Sequence, residues 1–462
     1  MVFSFKRHIT ESLEDWKFSE NRKPLILRGA RQVGKTTLVR QFSYSYKNSI
    51  LLNLEKKKDL KYFEQYEDVH SILEALFIAN NIASKDKKHT LLFIDEIQES
   101  PKAIQLLRYF YEEIPELHVI SAGSLLEFAM QKIKSFPVGR VEYVYLYPMN
   151  FAEYLLANDY LIGLEQLNQI PVNVNAHDVL MNMFHRYGII GGMPEVIKTY
   201  LKTESLSDLP KVYESIWGTY KDDVEKYTSN RTERNVIKHI MANAHLYLDE
   251  RIKFQGFANS NYRSREVGEA FRNLDDAKVI QLIYPTTNLE VPVKPDIKKS
   301  PRMQFLDTGL VNHTLNIQGK MLAMDDLSSS FKGAIIPHLI TQELISLNTY
   351  NSKKPNFWVR EKRQSSAEVD LVYTYEDKVI PIEIKSGATG SLKSLHQFIE
   401  RSKHPYAIRI FGGKFSVQES KTPAGTPYLL MNLPYYLGTK IPEYVEYFVE
   451  NYSLGGNGLM SQ

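Results

Sequence analysis

The sequence contains no cysteine. Disulfides and thiolate metal centres are therefore excluded, which suits a reducing compartment. It also lacks an excess of either charge: 57 Lys and Arg stand against 54 Asp and Glu, a net charge of +3. Such a chain exerts no bulk electrostatic pull on nucleic acid, so any surface of that kind has to be local. No apolar run approaches the ~18 residues of a membrane span. The opening stretch, MVFSFKRHITESLEDW, has no signal-peptide core. A cytoplasmic protein with no membrane contact is expected. The 12 histidines show no His-x-x-x-His or similar spacing, so a zinc centre is not expected. Internal repeats are absent too.

What is present points to a folded, multidomain chain. Its 462 residues are too many for one core. Hydrophobic residues at 43% and charged residues at 24% are ordinary for a globular protein. PLILRGARQVGKTTLVRQF reads as strand, Gly loop and helix, and further strands at 49–55, 89–98 and 117–124 alternate with helices at 67–83 and 101–114. That alternation predicts a parallel α/β sheet. From about 150 the composition turns helical. Within 231–282, NYRSREVGEAFRNLDDAKVIQLIYP suggests helix, turn, helix, strand and wing, with Arg263 and Arg265 at its start as either DNA-phosphate contacts or plain surface charge. From about 300 a mixed α/β unit follows, with a helix at 331–348, strands at 356–361, 367–374, 379–385 and 406–411, and a helix at 391–402. The expected domains are 1–155, 156–300 and 301–462.

GARQVGKT, residues 29–36, matches Gly-x-x-x-x-Gly-Lys-[Ser/Thr] in full, between a strand and a helix. Gly29, Ala30, Arg31, Gln32, Val33 and Gly34 would fold the backbone around phosphate oxygens, at a helix start that favours anions. Lys35 reaches the β- and γ-phosphates, and Thr36, followed by Thr37, offers a hydroxyl to Mg²⁺. LLFIDEIQ, 91–98, ends an apolar strand in the acidic pair that such a loop needs. Asp95 would hold Mg²⁺ through water, and Glu96 would activate the attacking water. Ser121 and Ser124, at the end of the next strand, both qualify as γ-phosphate sensors; Ser124 is equally a helix N-cap. Arg140 is either a phosphate contact, in its own chain or a neighbour, or a surface arginine. In GGMPEV, 191–196, Gly191 and Gly192 predict a close backbone approach.

In order along the chain, GARQVGKTTL, LLFIDEIQ, SAGS, GRVEYVYLYPMNFAEY, GGMPEV, FLDTGL and EVDLVY…IPIEIKSG resemble a family: the AAA-superfamily ATPases of bacteria and archaea that carry a C-terminal domain of unknown function. The resemblance covers nearly the whole chain. It implies an α/β multidomain protein: an AAA-type P-loop NTPase domain with a parallel sheet, a helical, winged-helix middle, and a mixed α/β endonuclease-like end. One departure is Ala30, where many relatives have proline. Asp370 precedes Glu383-x-Lys385 by thirteen positions. This pattern resembles the PD-(D/E)xK signature of restriction-endonuclease-like folds. By that resemblance Asp370, Glu383 and Glu343 would hold a metal, Lys385 would sit beside the attacking water, and Gln397 would bond a phosphate or the water. The alternative is a short, common pattern of charges on an exposed strand edge. Expected ligands are ATP and Mg²⁺, with DNA, a protein partner or self-association as further partners. Two activities compete: an ATPase acting on DNA through a nuclease, and a nucleotide switch whose C-terminal domain binds without cutting.

Overall fold

The computed structural model describes residues 5–124, 137, 139–224, 228, 230–324, 327–360, 367–385 and 392–456. Strands β1 (Leu25–Arg28), β2 (Asn48–Asn53), β3 (Thr90–Asp95), β4 (His118–Ala122) and β5 (Glu142–Tyr145) form one parallel sheet in the order β2-β3-β4-β1-β5. All six residues of β3 are buried, as a central strand with helices on both faces requires. Alternation divides the side chains between two cores. Leu25 and Leu27 face Leu13, Trp16 and Phe42 on one side, whereas Ile26 joins Leu73, Leu107 and Phe110 on the other. Because the strands are parallel, the carboxyl ends of β1, β3 and β4 share one edge of the sheet.

The first core runs on into the helices Phe151–Ala157, His177–Ile190, Pro194–Thr203 and Pro210–Asp223. At their turn a Cβ on Gly192 would lie 2.0 Å from the carbonyl oxygen of Met149, so only glycine fits there. Helices Arg231–Asn243 and Ser264–Asp276 follow, then β6 (Ile280–Ile283), which pairs antiparallel with β8 (Arg302–Phe305). The intervening segment does not stand off as a free wing. Its strand β7 (Pro285–Thr286) pairs with β9 (Asn356–Val359) of the last sheet and covers that strand's open edge. The expected boundary at 300 is therefore crossed in both directions.

The last sheet adds β10 (Glu368–Tyr375), β11 (Lys378–Ile384), β12 (Tyr406–Phe411), β13 (Ser416–Lys421) and β14 (Pro427–Pro434), in the order β13-β14-β12-β11-β10-β9-β7. β9, β10 and β11 are antiparallel neighbours, while β11, β12 and β14 run parallel. The helix Lys393–Ile399 provides the crossover that a parallel pair needs. β11 lies inside this sheet, and every residue from Val379 to Ile384 is buried. The stretch VIPIEIK is thus not an exposed strand edge.

Candidate functional site

The P-loop lies between β1 and the helix Lys35–Ser43. Gly34 adopts φ 101°, a conformation that a side chain would strain, and starts the helix with its free N–H groups toward the loop. Lys35 is buried at 8% exposure, and its Nζ donates to the carbonyls of Gly29 (2.8 Å) and Ala30 (2.7 Å). Burial pushes its ammonium down to about 8, with Glu96 and Asp95 opposing that shift. Thr36 Oγ1 donates to Asp95 Oδ2 at 2.8 Å, joining the loop to the end of β3. Burial raises the Asp95 carboxyl, against the Thr36 hydrogen bond that lowers it. Glu96 takes φ 51° just beyond the strand, and its Oε2 accepts from Gln98 Nε2 at 2.5 Å. Thr36 and Asp95 form an oxygen-only pair suited to Mg²⁺, which keeps several waters and binds few protein ligands.

These groups open into a cleft of about 650 Å³ that Arg31, Gln32, Thr37 and Ser124 also line. The two candidate serines separate here. Ser121 is fully buried and donates to the Leu25 carbonyl (3.3 Å) within the sheet, whereas the Ser124 hydroxyl is buried in the cleft wall without a partner. The helix expected after Ser124 lies outside the described residues. Arg140 does not line its own chain's cleft: it is exposed and paired with Glu112 at 2.8 Å. Arg263 and Arg265 open the helix Ser264–Asp276, where Arg265 pairs with Glu269 at 2.8 Å.

Sequence reasoning missed the far wall of the cleft. The helix Pro210–Asp223 supplies Lys211, Val212, Ser215, Ile216 and Thr219, and the first turn of the helix Pro194–Thr203 supplies Pro194 and Glu195. Asp223 pairs with Arg31, the Tyr220 hydroxyl donates to the Arg31 carbonyl (2.7 Å), and Gln32 Nε2 donates to Thr219 Oγ1 (3.0 Å). From the other side Arg7 donates to the Val33 carbonyl (3.0 Å) and to Glu153 (2.9 Å). No motif flags these contacts, because they join residues up to 192 positions apart, as 223 − 31 gives for Asp223 and Arg31.

The C-terminal acids are arranged differently from expectation. Asp370 and Glu383 do come together at neighbouring strands, with Asp370 Oδ2 accepting from the Ile384 N–H (2.8 Å) and Lys385 Nζ bonding Glu383 Oε1 (2.7 Å). Glu343 does not join them. Its fully buried carboxylate accepts from the Phe151 N–H (3.0 and 3.2 Å) and the Tyr187 hydroxyl (2.6 Å), so it holds the helix Phe151–Ala157 instead. An acid three residues from the end of an apolar helix, as 346 − 343 gives, carries no sign of which way it faces. Gln397 accepts from Arg360 Nη1 at 2.9 Å. Among the described residues no group of three or more acids and histidines is placed to hold a metal.

Residues 21–155 match the family described as AAA domain, residues 181–321 match a domain of unknown function (DUF8612), and residues 332–429 match another (DUF4143). The amino-terminal unit thus matches an AAA domain and carries its P-loop between β1 and the helix Lys35–Ser43. Among solved structures, the chain is similar to the crystal structure of the Signal Transduction ATPase with Numerous Domains (STAND) protein with a tetratricopeptide repeat sensor from Pyrococcus horikoshii. The identity is 12%, the TM-score 0.28, and the match covers 74% of this chain but only 46% of that one. A comparison with curated proteins finds no match. Among the described residues no helix is long and apolar enough to cross a membrane.

Proposed function

We propose that this chain binds ATP with Mg²⁺ in the P-loop cleft, hydrolyses it, and uses the change to move the middle helices against the carboxyl-terminal sheet. One observation carries this reading: the P-loop is gripped from outside its own sheet. Arg31 and Gln32 are held by the helix Pro210–Asp223, and Val33 is held by Arg7. In this reading the loop amides and Lys35 bind the triphosphate, Thr36 and Asp95 hold the ion, and Glu96 takes the proton of the attacking water. The Ser124 hydroxyl donates to the γ-phosphate. When bound, Mg²⁺ neutralises phosphate charge. A smaller cavity of about 100 Å³, lined by Phe5, Leu38, Gln41 and Pro194, adjoins the cleft and suits the base.

A chain of contacts supports the coupling. Arg7 joins Val33 to Glu153, Glu153 lies in the helix Phe151–Ala157, and Glu343 of the helix Ile335–Ser346 holds that helix's first N–H. Gly192 and Leu310 donate to Asp307, which ties the turn before Pro194 to the same region. The carboxyl-terminal module has the order helix, β9, β10, β11, helix, β12, which supports an endonuclease-like fold. We read it as a binding module for DNA or protein that does not cut.

Hydrogen exchange of the full chain tests this. The Glu96→Gln variant with ATP and Mg²⁺ is expected to protect residues 210–223 and 335–346 relative to the ADP state. Equal exchange in both states contradicts coupling, and equal exchange with and without nucleotide contradicts binding.

A further inference from the structure

We infer that the guanidinium of Arg302 takes the place a divalent cation would hold in the Asp370/Glu383 constellation, making it a closed ionic joint that excludes catalytic metal. The inference stands apart from the ATPase reading, since no nucleotide-site residue enters it.

Arg302 comes from β8, which pairs with the middle unit, yet its side chain reaches the carboxylates of β10. It bonds Asp249 Oδ1 through Nη1 (2.9 Å), Glu368 through Nη2, and lies 3.5 Å from Asp370 Oδ1. Its Cζ sits 4.7 Å from the centre of the Phe357 ring, which fixes the guanidinium plane. Three separate stretches of chain thus converge on one fixed cation. A guanidinium presents five donors in a rigid fork and never loses its proton. Burial disfavours its charge, but Asp249, Asp370 and Glu368 outweigh this and raise its basicity.

The remaining oxygens do not make an ion site. Asp370 Oδ2 is bonded to the Ile384 amide and Glu383 Oε1 to Lys385. Glu383 Oε2 is buried without a partner. Mg²⁺ and Mn²⁺ seek about six oxygens and keep several waters. The cavity that Asp249, Arg302 and Asp370 line, and Glu383 and Lys385 do not, is about 20 Å³, room for roughly one water.

The test is Mn²⁺ binding to the full chain without nucleotide, read from the electron-spin signal of the free ion. Wild type and Asp370→Asn are expected to give the same isotherm. Arg302→Met is expected to gain one site at least tenfold tighter than any in wild type, and Arg302→Met/Asp370→Asn to lose it. Arg302→Lys, which keeps a cation, should gain none. Wild-type binding that Asp370→Asn abolishes would overturn the inference, and so would a folded Arg302→Met that gains nothing. If Arg302→Met does not fold, the wild-type and Asp370→Asn pair decides alone. Plasmid nicking by wild type that is lost in Asp370→Asn also overturns it.

Discussion

The P-loop cleft and the carboxyl-terminal constellation use the same residue types, a lysine and a pair of acids at strand ends, and arrive at opposite states. In the first, Lys35 bonds only backbone carbonyls, the Ser124 hydroxyl has no partner, and about 650 Å³ of space lies in front. In the second, Lys385 is bonded to Glu383, Asp370 is engaged by Arg302 and a main-chain amide, and the cavity beside Arg302 and Asp370 is only about 20 Å³. The lesson is that residue type and spacing do not by themselves make a site. The P-loop groups front a wide cleft, whereas Asp370 and Lys385 are taken up by partners within the chain.

Several perturbations bear on that contrast. The largest effect is expected at Glu96. Without a base for the attacking water, Glu96→Gln should slow ATP turnover by roughly a thousandfold. Its ATP affinity should stay within about threefold of wild type, because the proposed role sets the side chain against water rather than phosphate. Steady-state phosphate release together with equilibrium binding reads both. Lys35→Ala should weaken ATP binding by roughly a hundredfold, the loss of a charge-assisted contact to phosphate in a buried setting.

Breaking the grip on the loop should matter less. Asp223→Asn removes the charge facing Arg31 and should weaken ATP binding by roughly tenfold. Titration with a fluorescent nucleotide would measure it.

Acidity adds a signed prediction. Lys35 has its folded value lowered to about 8, below that of an unfolded lysine. Below pH 8 the free protein carries the charge that phosphate needs. Above it, binding must take up a proton, so ATP affinity should fall with rising pH, at most about tenfold per unit. Proton uptake on binding, measured in two buffers by calorimetry, should appear at pH 9 and vanish at pH 7. The smallest effect is expected at the serines. Ser124→Ala should lower kcat/KM by about fivefold, as loss of a neutral hydrogen bond does. Ser121→Ala should leave kcat/KM unchanged and cost about 1 kcal/mol of stability, since its hydroxyl bonds the sheet.

Much of this was legible in the sequence, unevenly along the chain. The central strands β1, β3 and β4 are marked by apolar runs between turn residues, and Gly34, Lys35, Thr36 and Asp95 lie where the loop and strand end imply. The missing elements had weaker signals. β5 is only four residues long, and the helix Lys57–Gln65 is mostly polar. Contacts between distant segments left no pattern at all. Arg302, Asp223 and Arg7 are single basic or acidic residues in ordinary surroundings, and only folding brings them to their partners. Glu343 shows the same limit from the other side: the resemblance implied a metal ligand, but its carboxylate bonds Phe151 and Tyr187. The boundary at 300 was read where RMQFLDTGLVN starts a new unit, while the pairings of β7 with β9 and β8 with β6 cross it.

The most direct test titrates a fluorescent ATP analogue with Mg²⁺ into the full-length Glu96→Gln chain, then into Glu96→Gln/Lys35→Ala. Saturable binding of one nucleotide per chain, lost in the second protein, is the predicted result. Absence of binding in the first, or equal binding in both, would contradict the account.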